Sequence, residues 1–221
     1  MIQYIPLIIA PVIYILLLIL GRGAMEKKAW LLFSGSFFIG LIAALPMIAA
    51  MFYIKHYWLE HAASLRRIIF FAFAVIGFLA ELFKFLFLRY KYITNESLTK
   101  PFDGILYGIV ISMGYATAAN VFFFFEWDYT EMKSVVLYSI PFANLFTGII
   151  LGFFIGMGKF RKPSFIDSIT GLGAAIFFQG FYNFCLFSED YLLLALVAVG
   201  TLVICIMLSV KSINTDIKNM I

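Results

Sequence analysis

Residues 103–125 read DGILYGIVISMGYATAANVFFFF, twenty-three residues whose single charge, Asp103, stands at the first position. At 1.5 Å per residue such a stretch makes a helix about 35 Å long, enough to cross a hydrocarbon core of about 30 Å. Within it Gly104, Gly108, Ser112, Ala116 and Asn120 recur every four residues, which places them on one helical face. Small side chains on one face let two backbones approach closely in lipid, where no hydrophobic effect draws helices together. The segment therefore reads as a membrane-spanning helix built to pack against a neighbour.

The same reading extends outward in both directions. Seven apolar segments stand between charge clusters, at 3–21, 29–54, 68–88, 103–125, 134–157, 168–187 and 191–210. The second is long enough to tilt, or to break near Pro46. The whole chain is 64% hydrophobic and only 13% charged, with a mean hydropathy of +1.02. A soluble domain carries roughly a quarter charged residues, so most side chains here must face lipid or one another. Backbone in hydrocarbon must be paired internally, which leaves helices or a closed barrel. The apolar runs are continuous rather than alternating, which selects helices. The expected fold is all-α: a polytopic transmembrane helix bundle of about seven spans, one transmembrane domain over 1–221.

The net charge of +4 is distributed unevenly. Arg22, Lys27, Lys28, Arg89, Lys91, Lys100, Lys159, Arg161, Lys162, Lys211 and Lys218 fall on one side of the predicted bundle. Only Lys55, Arg66, Arg67 and Lys133 fall on the other, and Lys84 lies inside the third span. The positive-inside rule then places the N-terminus outside and the C-terminus in the cytoplasm. No basic patch is interleaved with aromatics, so nucleic acid is not an expected partner; membrane lipid is. Cys185 and Cys205 both sit in apolar runs and read as small packing residues. His56, Glu60 and His61, with Tyr53, Tyr57 and Trp58, read as an interfacial helix with an aromatic belt rather than a metal site.

Two further stripes share the spacing of four: Asn144, Gly148, Gly152 and Gly156 on the fifth span, and Gly171, Ala175, Gln179 and Asn183 on the sixth. Spans four, five and six are therefore expected to form a tight core. On the third span Glu81 and Lys84 lie three residues apart on one face. A carboxylate in a span costs about 2.5–3.5 kcal/mol on insertion scales and needs a partner. Lys84 supplies one, unless it snorkels to the surface.

The run Ala80-Glu81-Leu82-Phe83-Lys84 resembles the Glu-Glu-x-x-Lys motif of PrsW-type intramembrane proteases, within the wider CAAX-protease and bacteriocin-processing superfamily. Pro101-Phe102-Asp103-Gly104, Tyr107-Gly108, Gly114-Tyr115-Ala116 and Asn120 are similar to that family's next segment. There an aromatic is followed, after three residues, by a glutamate; here the pair is Tyr115 and Ala119. Pro141 to Thr147 resembles the segment with a histidine, which aligns with Ala143. Phe178-Gln179-Gly180-Phe181-Tyr182-Asn183 resembles His-x-x-x-Asp/Asn, with Gln179 at the histidine. The similarity covers about residues 70–187, and the protease-like core it implies is about 68–187.

What the resemblance implies is a protease of the bacterial inner membrane that cleaves membrane-anchored substrates such as anti-sigma factors. Its glutamates and histidines would activate a water and stabilise the oxyanion, and a divalent metal such as zinc would belong to a chain that keeps them. This chain has Ala80, Ala119, Ala143 and Gln179 at those four positions. General-base catalysis needs a group that accepts a proton, and a zinc site needs three or four converging ligands. The expectation is an inactive variant with no cofactor of its own, in which Glu81 survives beside the site. Lys84 would partner it, and Asn120 and Asn183 would be supporting donors. A natural pseudoprotease that binds transmembrane segments and a chain altered to silence it both satisfy this pattern. A small-solute or ion transporter using the same polar residues is the rival from another class. Counting 1.5 Å per residue puts Ala80, Ala119, Ala143 and Gln179 about 18, 9, 14 and 12 Å from the outer ends of their helices, in one layer.

Overall fold

The computed structural model describes residues 4–22, 27–57, 64–93, 98–126, 131–161 and 164–220. Seven helices account for nearly all of them: α1 Ile5–Gly21, α2 Lys27–Tyr57, α3 Leu65–Tyr92, α4 Pro101–Glu126, α5 Glu131–Phe160, α6 Ser164–Phe187 and α7 Tyr191–Met220. Six are long and apolar enough to cross a bilayer, and α1, at 17 residues, is shorter. The chain is an all-helical, multi-pass membrane protein. Of the outer histidine cluster, Glu60, His61 and the His56 side chain lie outside the described residues.

Two local expectations change. Pro46 does not break α2, which runs unbroken from Lys27 to Tyr57. A proline in a span leaves one carbonyl without its helical partner, and neighbouring helices can absorb the disturbance. The third span is more irregular than its hydropathy suggests. Its backbone widens to π geometry over Phe70–Gly77 and again over Leu88–Tyr92, on either side of the α-helical turns Phe78–Phe87 that carry Ala80, Glu81 and Lys84. Such segments are rare and cluster at functional sites.

The glycine stripes do what their spacing predicts, although between different partners. A Cβ on Gly104 would come within 2.5 Å of the Gly152 carbonyl oxygen, and one on Gly108 would strike the Gly148 carbonyl. The stripes of α4 and α5 are thus in backbone contact, the most extensive helix pair in the molecule. The stripe of α6 does not join them as a third equal member. α6 packs on α5 and on the wide part of α3, and its direct contact with α4 is slight. What closes on the other side of α4 is α2, where Gly40 meets Gly114 and either Cβ would overlap facing backbone. A stripe identifies a face that wants a close neighbour; it does not name the neighbour.

α7 lies at the margin. Within its span only 11% of the residues are buried, against 72% in α5, so most of its surface is left for lipid. Cys185 and Cys205 are both buried free thiols, and the Cys205 thiol donates to the Phe146 carbonyl.

The α4–α5 contact gives a direct test. Gly104→Val or Gly152→Leu must push two backbones apart, an overpacking cost of roughly 1–3 kcal/mol or more. The expected outcome is a clear fall in melting temperature in detergent, while the same change at Gly173, where an added Cβ meets nothing within 4 Å, leaves it nearly unchanged.

Candidate functional site

Helix α3 brings two charges into the middle of the bundle, and neither reaches its surface. Glu81 and Lys84 are both 0% exposed. The Lys84 ammonium donates to Glu81 Oε1 at 2.7 Å and to Asn144 Oδ1 at 3.0 Å, with Thr147 Oγ1 at 3.3 Å. It also stands 4.8 Å from the centroid of the Tyr115 ring, whose negative face favours a cation. Snorkelling is thereby ruled out: the lysine turns inward. Three helices hold it, α3 through the carboxylate, α5 through an amide and a hydroxyl, and α4 through an aromatic face. Asn144 is itself anchored, donating Nδ2 to the Ile140 carbonyl.

Ala80, Ala119, Ala143 and Gln179 are all buried, at 0, 2, 8 and 4% exposure. Gln179 is shared between two cavities. The smaller, about 30 Å³, lies among α2 to α6 and is lined by Ala119, Tyr115, Asn144, Gln179 and Asn183 together with apolar side chains. The larger, about 460 Å³, opens between α5, α6 and α7 and is lined by Ala143, Thr147 and Gln179 within a mainly apolar wall. Ala80 is in the core but lines neither. The Tyr115 hydroxyl, Glu81 Oε2 and Gln179 Oε1 are buried without a hydrogen-bond partner, so polar capacity remains in this layer.

The two amides expected as supporting donors lie in different surroundings. Asn183 donates to the Gln179 backbone carbonyl at 2.8 Å and lines the small cavity. Asn120 instead reaches the Pro6 carbonyl at 2.9 Å and ties α1 to α4. Sequence reasoning had no partner in view for it, because α1 carries no polar side chain facing α4. It also missed the roles of Asn144 and Thr147. Their spacing of three, on the face that carries the glycine stripe, is the signal that could have found them.

A profile of the PrsW family, described as intramembrane metalloproteases, matches residues 26–210. The chain belongs to this family. It is 28% identical over 195 residues to the protein named Protease PrsW of Shouchella clausii, 86% of each chain. Against the Protease PrsW of Oceanobacillus iheyensis it is 24% identical over 181 residues, 80% of each chain. Against that of Bacillus subtilis it is 27% identical over 125 residues, 57% of this chain and 55% of the other. No solved structure gives a significant match.

The family description implies a metal, and the side chains here do not fit one. Among the described residues no three His, Cys, Asp or Glu side chains converge. In this PrsW-family chain the Glu81 carboxylate already holds an ammonium on Oε1. The neighbouring donors, Asn144, Asn183 and Gln179, are neutral amides, a poor set for zinc.

The buried pair yields an asymmetric prediction. Lys84→Met strands the Glu81 charge, and breaking a buried pair from one side costs roughly 3–5 kcal/mol. The double variant Glu81→Gln/Lys84→Met removes both charges and is expected to recover much of that loss. Thermal unfolding of the three proteins in one detergent measures it; equal melting temperatures for the single and double variants would show that the charges are not coupled.

Proposed function

We propose that this PrsW-family chain is a catalytically silent member that holds membrane-anchored proteins without cleaving them. One observation carries the reading. At the four positions that the resemblance assigns to glutamates and histidines stand Ala80, Ala119, Ala143 and Gln179, each of them buried, as are Glu81 and Lys84. None of the four replacements can accept a proton, and hydrolysis of an amide requires a base to activate water. Glu81 is the remaining carboxylate, and its Oε1 is engaged by the Lys84 ammonium 2.7 Å away.

The scaffold around the altered positions is retained. The close α4–α5 contact, the widened α3 and the cavity between α5, α6 and α7 leave a shielded interior beside Gln179. On this reading the protein resides in a bacterial cell membrane with its N-terminus outside and its C-terminus in the cytoplasm, as the basic loops favour. The protease-like core is 68–187, and its client is a single membrane-anchored segment.

The test compares two proteins on one membrane-anchored reporter in proteoliposomes. The chain as it stands should release no cleavage product. Ala80→Glu, Ala119→Glu, Ala143→His and Gln179→His, combined in one variant and assayed with added zinc, should restore measurable cleavage. Cleavage by the unaltered chain would end the claim of silence. A folded variant that binds the reporter but never cleaves it would end the assignment of the four positions.

A further inference from the structure

Far from Glu81, at the end of the bundle where α5 gives way to α6, a cleft of about 690 Å³ joins Arg161, the residue after α5, to the last turns of α7. Its lining combines two chemistries: Arg161, Lys211 and Asn214 are polar, and Ile206, Met207 and Val210 are apolar. Positions 206, 210 and 214 follow one another at intervals of four, as do 207 and 211, so apolar and polar parts succeed each other along one face of α7. The apolar side chains are exposed, at 55, 66 and 52%. No described acidic residue lines the cleft. Asp216, the nearest along the helix, is 7% exposed and faces the Phe102 backbone N–H on α4. Thr215 also lines the cleft, but its hydroxyl is committed to the Lys211 carbonyl at 2.9 Å.

A guanidinium fork, an ammonium and an amide N–H make a donor set for a phosphate diester. The adjoining exposed aliphatic strip suits an acyl chain and no soluble anion. Two cations with no acidic counterpart among the described lining residues favour a headgroup of net negative charge over a zwitterionic one, whose own cation they would repel. Basic pockets between spans on the cytoplasmic side are the usual place for such lipids. We propose that this cleft binds one anionic phospholipid, its phosphate between Arg161 and Lys211 and an acyl chain along Ile206, Met207 and Val210. The lipid fastens α7, which has little protein contact of its own, to the end of α5. The inference is independent of the function proposed above.

The full-length protein is placed in nanodiscs of phosphatidylcholine, with or without phosphatidylglycerol, and read by thermal unfolding and by amide exchange over 206–216. Phosphatidylglycerol is expected to raise the melting temperature by about 2–4 °C, the shift that one modest binding event gives a chain of this size, and to slow exchange in that segment. R161Q/K211Q should lose the increment and keep its melting temperature in phosphatidylcholine. K27Q/K91Q, a basic pair elsewhere, should retain it. If the double variant does not fold, R161Q and K211Q singly should each lose part of the increment. The proposal is overturned by an increment that survives R161Q/K211Q, or by one that falls as far in K27Q/K91Q, which would mark general surface attraction. Inorganic phosphate reproducing the whole effect in phosphatidylcholine would equally overturn it, as an anion site that needs no lipid.

Discussion

An ammonium group with no exposed surface, in the middle of a bundle that otherwise shuns charge, constrains everything packed around it. Removing an ion from water costs several kcal/mol even after relaxation, and only good geometry repays it. For Lys84 that geometry comes from Glu81 on its own helix, Asn144 and Thr147 on α5 and the ring of Tyr115 on α4. None of these three helices can rotate without uncovering the charge. The glycine contacts between α4 and α5 act on the same pair of helices from a different direction. Close backbone approach sets their separation, and the buried cation sets their rotation.

That constraint also bears on chemistry. A protease site in a membrane must keep a proton acceptor available beside a path for substrate and water. Here the Glu81 carboxylate pairs with a buried lysine, and Ala119, Ala143 and Gln179 beside the cavities carry methyl groups or an amide. The bundle encloses a buried polar core flanked by a large, mainly apolar cavity. On the reading proposed above, holding a membrane segment and hydrolysing it depend on different residues, so the first does not require the second.

Much of this was legible from the order of residues. Span positions followed from runs of apolar residues, and the glycine stripes marked faces that do pack tightly. The Glu81–Lys84 pair was visible as a spacing of three. Other features were not. Asn120 carries the same spacing signal as its stripe, yet it serves Pro6 of α1, because its depth on α4 coincides with that helix end. The α6 stripe predicted a common core with α4 and α5, whereas α5 stands between the other two. The π-helical stretches of α3 leave no mark in hydropathy, since they alter backbone pairing without changing which residues are apolar.

The division has a physical origin. Hydropathy, charge placement and residue spacing are properties of a line of residues, and they suffice to say which stretches enter the membrane and which face of each helix seeks a close neighbour. They carry no information on which helix supplies that neighbour or at what rotation. Those were decided in three dimensions, by backbones that touch where a glycine leaves room, as at Gly104 and Gly152. They were decided equally by a buried cation that had to find oxygen on another helix, and found it at Asn144 and Thr147.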